Sequence, residues 1–276
     1  MRLAILICLL ALASPAQTVL RSGTFRALNS TPGGGPPADG YEANVYAYYK
    51  FEETNGTAID SAHARNLGNY AGGAATVPGI LGNCFDFGTN FGFGNPGPLS
   101  LSSSPGDGGS NADYSLSTNS FTMRFWVKTV ASGFNNIFWP GDSFGIGYGS
   151  APSGVDGKID FNLIQTNGEV HITSLQDIAD GQWHRVIVWH DAQTFDAGLQ
   201  IDSNSPTNRI TTELYNPCPT FCPSIIRLGD PTDQFPNPPN PSFLMDDLVI
   251  WKDYVLTPGD RDFDWNGGAG RTYPLP

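Results

Sequence analysis

From Val45 onward, apolar and polar residues alternate in short runs separated by clusters of Gly, Pro, Asn and Ser. The runs are VYAYYKF (45–51), CFDF (84–87), FTMRFWVK (121–128), SFGIGY (143–148), KIDFNLI (158–164), EVHITS (169–174), WHRVIVWH (183–190), GLQID (198–202), IIRLG (225–229) and FLMDDLVIW (243–251). A period of two places successive side chains on opposite faces of a strand, so one face of each run is buried. With no helical run between them, the runs predict an all-β sandwich or jelly roll. The last run carries two adjacent acids, Asp246 and Asp247, at its entry and reads as the closing strand. Beyond it, Thr257 as N-cap and Pro258 at the first helical position predict one short helix. Residues 266–276 read as an irregular tail.

Composition agrees with the pattern. The 33 glycines and 22 prolines of the 276-residue chain disfavour long helices. Residues 1–16 differ: Arg2 precedes an apolar run too short to span a bilayer, and small residues follow at Ser14, Pro15 and Ala16. They are expected to be a signal peptide, with a buried N-terminal strand as the alternative. Residues 17–43, which include GGGPPADG (33–40), read as a flexible leader. The domain proper then covers residues 44–265. No other segment reaches the roughly 18 apolar residues of a membrane helix. The expectation is an exported protein, secreted or in the cell envelope, without membrane insertion after signal cleavage.

Charge narrows the partners. The chain has 14 basic and 26 acidic residues, a net −12. Such a surface repels nucleic acid. Calcium or a neutral polysaccharide suits it, and acidity also serves solubility. Beyond the signal segment, the cysteines are Cys84, Cys218 and Cys222. Cys218 and Cys222 flank Pro-Thr-Phe in a Pro-rich stretch, and export favours a local disulfide there. Zinc lacks a second pair at suitable spacing. Cys84 alternates with Phe85 and Phe87 and reads as a small packed thiol.

Six stretches, in order, carry a family resemblance: YYKFEETNGTAIDSA (48–62), VPGILGNCFDFG (77–88), FTMRFWVK (121–128), DGQWHRVIVWHDA (180–192), LQIDS (199–203) and FLMDDLVIWKDYVLTPGD (243–260). Together they resemble a laminin G-like, concanavalin A-like lectin/glucanase domain. The resemblance implies a jelly roll of two antiparallel sheets, often calcium-stabilised, serving glycan binding or adhesion outside the cell. It also implies a structural calcium at the acid opening the last strand, Asp246, with Glu52 and Asp60 approaching from beyond the first strand. Calcium takes about six to eight oxygens, which carboxylates and loop carbonyls supply. The alternative is that Asp246 caps the strand or bonds to a loop backbone.

Catalytic patterns are weak. Gly141-Asp142-Ser143-Phe144-Gly145 matches a nucleophile elbow, but no helix-forming sequence follows it. Glycoside hydrolysis needs two carboxyls across the scissile bond. Related glucanases carry Glu, Asp and Glu on alternate positions of one strand, where this chain reads Lys158-Ile159-Asp160-Phe161-Asn162. Asp260, Asp262 and Asp264 imitate the start of an EF-hand loop, yet Trp265 stands where that loop needs Gly. His184 and His190 lie about 20 Å apart along one strand and cannot share a metal.

Aromatic residues remain. Trp126 and Trp189 share parity with polar residues, opposite the core-facing positions. Trp126, Arg185 and Trp189 are therefore expected to line a sugar-binding groove, with Trp139 and Tyr148 at its edge; the competing arrangement packs these rings under loops crossing the sheet. The reading is a secreted, non-catalytic binding or adhesion module for carbohydrate. A surface-display protein of an envelope or virus-like particle is the first alternative, and a glycoside hydrolase of the same fold the second.

Overall fold

β-Branched and aromatic residues fit a pleated, half-buried surface, and the alternating runs form strands for that reason. A computed structural model describes residues 40–54, 57–63, 65–69, 75–87, 101–102, 116, 118–130, 135–139, 143–148, 157–214, 227–229 and 243–272. The strands are β1 (Val45–Tyr49), β2 (Gly68–Asn69), β3 (Ala75–Pro78), β4 (Asn83–Asp86), β5 (Leu101–Ser102), β6 (Phe121–Thr129), β7 (Asn135–Trp139) and β8 (Phe144–Tyr148). They continue with β9 (Lys158–Gln165), β10 (Gly168–Asp177), β11 (Trp183–His190), β12 (Asp196–Ile201), β13 (Thr207–Ile210), β14 (Arg227–Leu228) and β15 (Phe243–Lys252). One helix, α1 (Pro258–Trp265), follows.

The strands form two antiparallel sheets. The first runs β13-β12-β11-β6-β15-β4-β3, with β1 also paired to β15; the second runs β10-β9-β8-β7-β14-β5-β2. Phe85, Phe121, Met123, Phe125, Val127, Val186 and Val188 of the first sheet are buried in one core with Phe144, Ile146, Phe161 and Leu163 of the second. The all-β sandwich of two antiparallel sheets expected from the sequence is thus the observed fold, and the described residues belong to one compact unit.

β15 organises the first sheet. One edge pairs with β6, while the other is shared, Leu244 and Met245 with β4 and Leu248 onward with β1. The register on β6 shifts between Asp246 and Val249, a β-bulge, and Asp247 takes a positive φ of 57°. The two acids therefore sit where β15 changes partners. The extra residue reverses parity: Phe243 and Met245 face the core before the bulge, Leu248 and Ile250 after it. Val249 and Trp251 point outward into a second cluster with Tyr41, Tyr48, Leu256 and Phe263.

That second cluster lies under α1. Thr257 and Asp260 close a capping box, Pro258 opens the helix, and Asn266 ends it in the left-handed conformation. Order extends past both expected boundaries. Tyr41, inside the segment read as a flexible leader, is 1% exposed, and its carbonyl accepts the Trp251 indole N–H at 2.6 Å. The tail contains a 3-10 turn at Asn266–Gly268. The signal-peptide segment and the Cys218–Cys222 pair lie outside the described residues. Cys84 is buried and unbridged, and burial pushes its thiol up to about 12.

Candidate functional site

A two-sheet sandwich has two outer faces, and here they differ. The outer face of the first sheet carries Trp126, Arg185 and Trp189, at 1%, 0% and 2% exposure. The groove expected there is filled by α1 and the turn after it. Trp126 stacks on Trp265 with centroids 5.6 Å apart, and a Cβ on Gly270 would lie 3.1 Å from its indole nitrogen. Trp189 donates to Asp196 at 3.2 Å and lies beneath the Arg261 guanidinium. Arg185 donates to the Arg261 carbonyl at 2.7 Å and to the Asp202 carbonyl at 2.6 Å.

Beneath the helix, buried charges neutralise one another. Asp264 pairs with Arg124 and Arg185, each at 3.0 Å, and Arg124 also pairs with Asp247. All four side chains are at most 1% exposed. Burial lowers the Arg185 pKa and raises that of Asp247, each shift opposed by its ion-pair partner. Tyr148 is no groove-edge residue either: it is fully buried in the core, edge-on to Phe243. Burial thus removes Trp126, Arg185, Trp189 and Tyr148 from the groove expected of them. The Trp139 side chain lies outside the described residues; its backbone pairs with Arg227.

The acids expected to converge on a metal divide between two loops. Asp246, at the bulge, accepts the Ile80 and Leu81 amides at 2.9 Å each, while its other oxygen is buried without a partner among the described residues. Glu52 reaches the same loop, accepting the Asn83 amide at 3.1 Å. Glycines admit both carboxylates: a Cβ on Gly79 would fall 2.4 Å from Asp246, and one on Gly82, where φ is +106°, 2.0 Å from Glu52. Asp60 is engaged elsewhere, accepting the Tyr48 and Ala62 amides at 2.9 Å each. Among the described residues no group of three or more His, Cys, Asp or Glu side chains could hold a metal ion. Burial raises the Asp246 carboxyl to about 7, with repulsion from Asp247 and Glu52 adding to it and the two amides opposing it.

The outer face of the second sheet is polar. Ile159, Phe161 and Leu163 of β9 and Ile172 of β10 face the core, which turns Asp160, Asn162, Glu169, His171 and Thr173 outward. Across the β9–β10 pair, His171 stands opposite Asn162 and Thr173 opposite Asp160. His171 and Asp160 lie 2.8 Å apart, and Thr173 donates to Asp160 at 3.3 Å. On its other side His171 is 3.5 Å from Glu169. Exposure grades outward across the face, from Asp160 at 3% through His171 at 28% to Glu169 at 53%. On β8, Gly145 and Gly147 pair with Asn162 and Asp160 and leave that side of the face without side chains. The result is a shallow bed of acceptors and donors at strand spacing, suited to hydroxyl groups.

None of these five residues was expected as a site. The available signal was the hairpin itself: Thr166 and Asn167 join the arms, so the sequence folds alternate polar positions of β9 and β10 onto one face.

The comparisons match this architecture. The family model of the concanavalin A-like lectin/glucanases superfamily, Laminin_G_3, matches residues 104–260, more than half of the chain. The chain belongs to this superfamily. No curated protein sequence matches it. Among solved structures it is similar to the botulinum neurotoxin serotype C1 binding domain, at 15% identity and a TM-score of 0.56, over 84% of this chain and 53% of that one. It is also similar to domain 4 of AbnA, a GH43 extracellular arabinanase from Geobacillus stearothermophilus solved with arabinotriose, at 18% identity and a TM-score of 0.56, over 81% and 98%. Trypanosoma rangeli sialidase matches at 12% identity and a TM-score of 0.54, over 83% and 34%. The chain spans about half the length of the toxin domain it matches. At these identities the superfamily fold is what the likeness shows.

A separate buried histidine in this lectin/glucanase-type fold is structural. His184 lies 2.9 Å from Asp202 and 3.0 Å from Asp180. Burial opposes its charge, but hydrogen bonds and attraction from the two carboxylates outweigh this and raise its pKa above 6.5. The raised folded pKa stabilises the fold fully below pH 6.5, and this contribution disappears as pH rises through the folded value. Denaturant midpoints at pH 6 and pH 8 should therefore differ less in His184→Gln than in the parent. An equal pH response in both proteins contradicts this role.

Proposed function

We propose that the protein is a non-catalytic carbohydrate-binding module acting outside the cell, with the β9–β10 face as its ligand surface. The observation that carries this reading is the asymmetry of the two outer faces. One is sealed by α1, whereas the other presents Asn162, Glu169, His171 and Thr173 partly exposed on a rigid hairpin. Sites built on strands hold their groups in place and lose little freedom on binding. The superfamily and the arabinanase domain solved with arabinotriose support a glycan partner, and the acidic balance favours a neutral one.

A binding rather than hydrolytic role is supported by the placement of the carboxyls. Asp160 and Glu169 both contact His171, whose ring occupies the space between them. A glycosidase needs that space for the scissile bond and the attacking group.

A structural calcium is a further part of the proposal, and the fit is partial. Asp246, through its unpartnered oxygen, and Glu52 would hold the ion beside loop 78–83, while Asp60 would not take part. Such an ion would supply positive charge between two carboxylates that otherwise repel.

A glycan array probed with the purified protein, with and without calcium, tests the function. Neutral plant or microbial oligosaccharides are expected to bind. His171→Ala and Asn162→Ala should each weaken binding about tenfold, the loss of roughly one good hydrogen bond's worth of free energy. Binding unchanged in both variants, or silence across the array, contradicts the proposal.

A further inference from the structure

We infer that the protein has a second ligand site, a pocket for one neutral sugar ring between the edges of the two sheets. The pocket lies where β10 of the second sheet approaches β12 and β13 of the first, and its volume is about 350 Å³. That is the low end of the range for small-molecule sites, which runs from roughly 300 to 1,000 Å³.

The pocket is built by two departures from regular strand. The β9–β10 ladder is interrupted between Thr173 and Asp177. Within this gap the Ser174 hydroxyl accepts the Ile159 amide at 3.0 Å and donates to the Gln176 carbonyl at 2.7 Å. The side chain thereby replaces ladder bonds, and Leu175 turns outward to 77% exposure. Opposite, the chain turns sharply after β12, with Asp202 at a positive φ of 55°. Asn204 in that turn donates to Gln176 and so ties the two edges together. Gln176 in turn donates to Asp202 at 3.2 Å.

The lining sets the class of ligand. Leu175, 77% exposed, supplies the apolar surface for the C–H face of a ring, and Leu199 and Ile201, at 1% and 4% exposure, form the closed floor behind it. Gln176, Asn204, Ser205 and Thr207 surround it with amides and hydroxyls. No lining residue is ionisable, in a chain with 40 charged residues counted as 14 basic and 26 acidic. An anionic ligand would meet no basic residue in the lining, and Asp202, bonded to Gln176, would repel it. A neutral pyranose or furanose, apolar on one side and hydroxylated around its rim, matches both parts of the lining.

This inference rests on the carbohydrate-binding reading, and one titration separates the two. The isotopically labelled protein is titrated with methyl glycosides of glucose, galactose and arabinose, and with glucuronate as a charged control, while backbone amide shifts are followed. Saturable shifts at Ser174–Gln176 and Asn204–Thr207 with a neutral glycoside, absent with glucuronate, are expected. Ser205→Trp, in an exposed turn, should abolish them, and so should Leu175→Arg, whose parent side chain is largely in solvent. Shifts confined to Asn162, Glu169 and His171 overturn the second site and leave the proposed function standing. Silence at both places counts against both, and equal response to glucuronate overturns the assignment of a neutral ligand.

Discussion

Asp264→Ala is expected to destabilise the fold by about 3–5 kcal/mol, the cost of stripping one partner from a buried ion network. Asp264 is shared by Arg124 and Arg185 at 3.0 Å each and also accepts the Tyr41 hydroxyl at 3.2 Å. Its loss leaves Arg124 paired with Asp247 and takes from Arg185 the carboxylate it bonds beneath α1. Because domains of this kind are stable by roughly 5–15 kcal/mol, the substitution consumes a large part of the total. Urea midpoints at neutral pH measure it. Asp262→Ala, two residues earlier on an exposed position of the same helix, should change stability by less than about 0.5 kcal/mol. Similar midpoints for both variants would mean that the network contributes nothing. If the alanine variant fails to fold, Asp264→Asn, which keeps a hydrogen-bond acceptor, supplies an intermediate midpoint.

The second large effect has the opposite sign. Asp246 titrates at about 7 in the folded protein, against an ordinary value of 3.8. An acid whose folded pKa is raised binds its proton more tightly when folded. Stability is therefore undiminished below pH 3.8, falls as pH rises from about 4 to 7, and stays reduced above. The full interval corresponds to about 4 kcal/mol. Asp246→Asn keeps a carbonyl for the Ile80 and Leu81 amides and carries no charge. At pH 8 it should be more stable than the parent by about 2–4 kcal/mol, with the gap closing near pH 4. Calcium makes this sharper. An ion at Asp246 should raise the parent melting temperature at pH 8 and leave Asp246→Asn unmoved. A parent that ignores both calcium and chelator removes the calcium proposal, and a variant less stable than the parent at pH 8 contradicts the burial argument.

Much of the fold was legible because alternation is a local property. Ten of the fifteen strands, the closing role of FLMDDLVIW and the Thr257-Pro258 helix start follow from nearest-neighbour chemistry, whereas β2, β3, β5, β7 and β13 are short and fall outside the alternating runs. The errors came from what alternation leaves open. Parity correctly put Trp126, Arg185 and Trp189 on the face away from the core. It did not say that residues 258–270, distant in sequence, would cover that face. Tyr148 failed for another reason: its run reads as a strand, but the neighbouring Gly145 and Gly147 suggested an open edge, whereas parity with Phe144 and Ile146 turns Tyr148 into the core. Asp260 and Asp264, discounted as metal ligands because Trp265 stands where an EF-hand loop needs Gly, serve as cap and ion-pair hub. The polar face was overlooked because carboxylates were sought along β9 alone, while the observed group is divided across a hairpin. PGILGN, quoted only as a motif, has a physical reason in Gly79 and Gly82, which make room for two carboxylates.

The central claim is that ligand meets the β9–β10 face and that the helix-covered face stays closed. Amide and indole shift mapping with an oligosaccharide that binds the protein tests it directly. The account predicts perturbation of Asn162, Glu169, His171 and Thr173, with the Trp126 and Trp265 indole signals unmoved. Perturbed indoles together with loss of amide protection in Pro258–Trp265, and a silent β9–β10 hairpin, would contradict it.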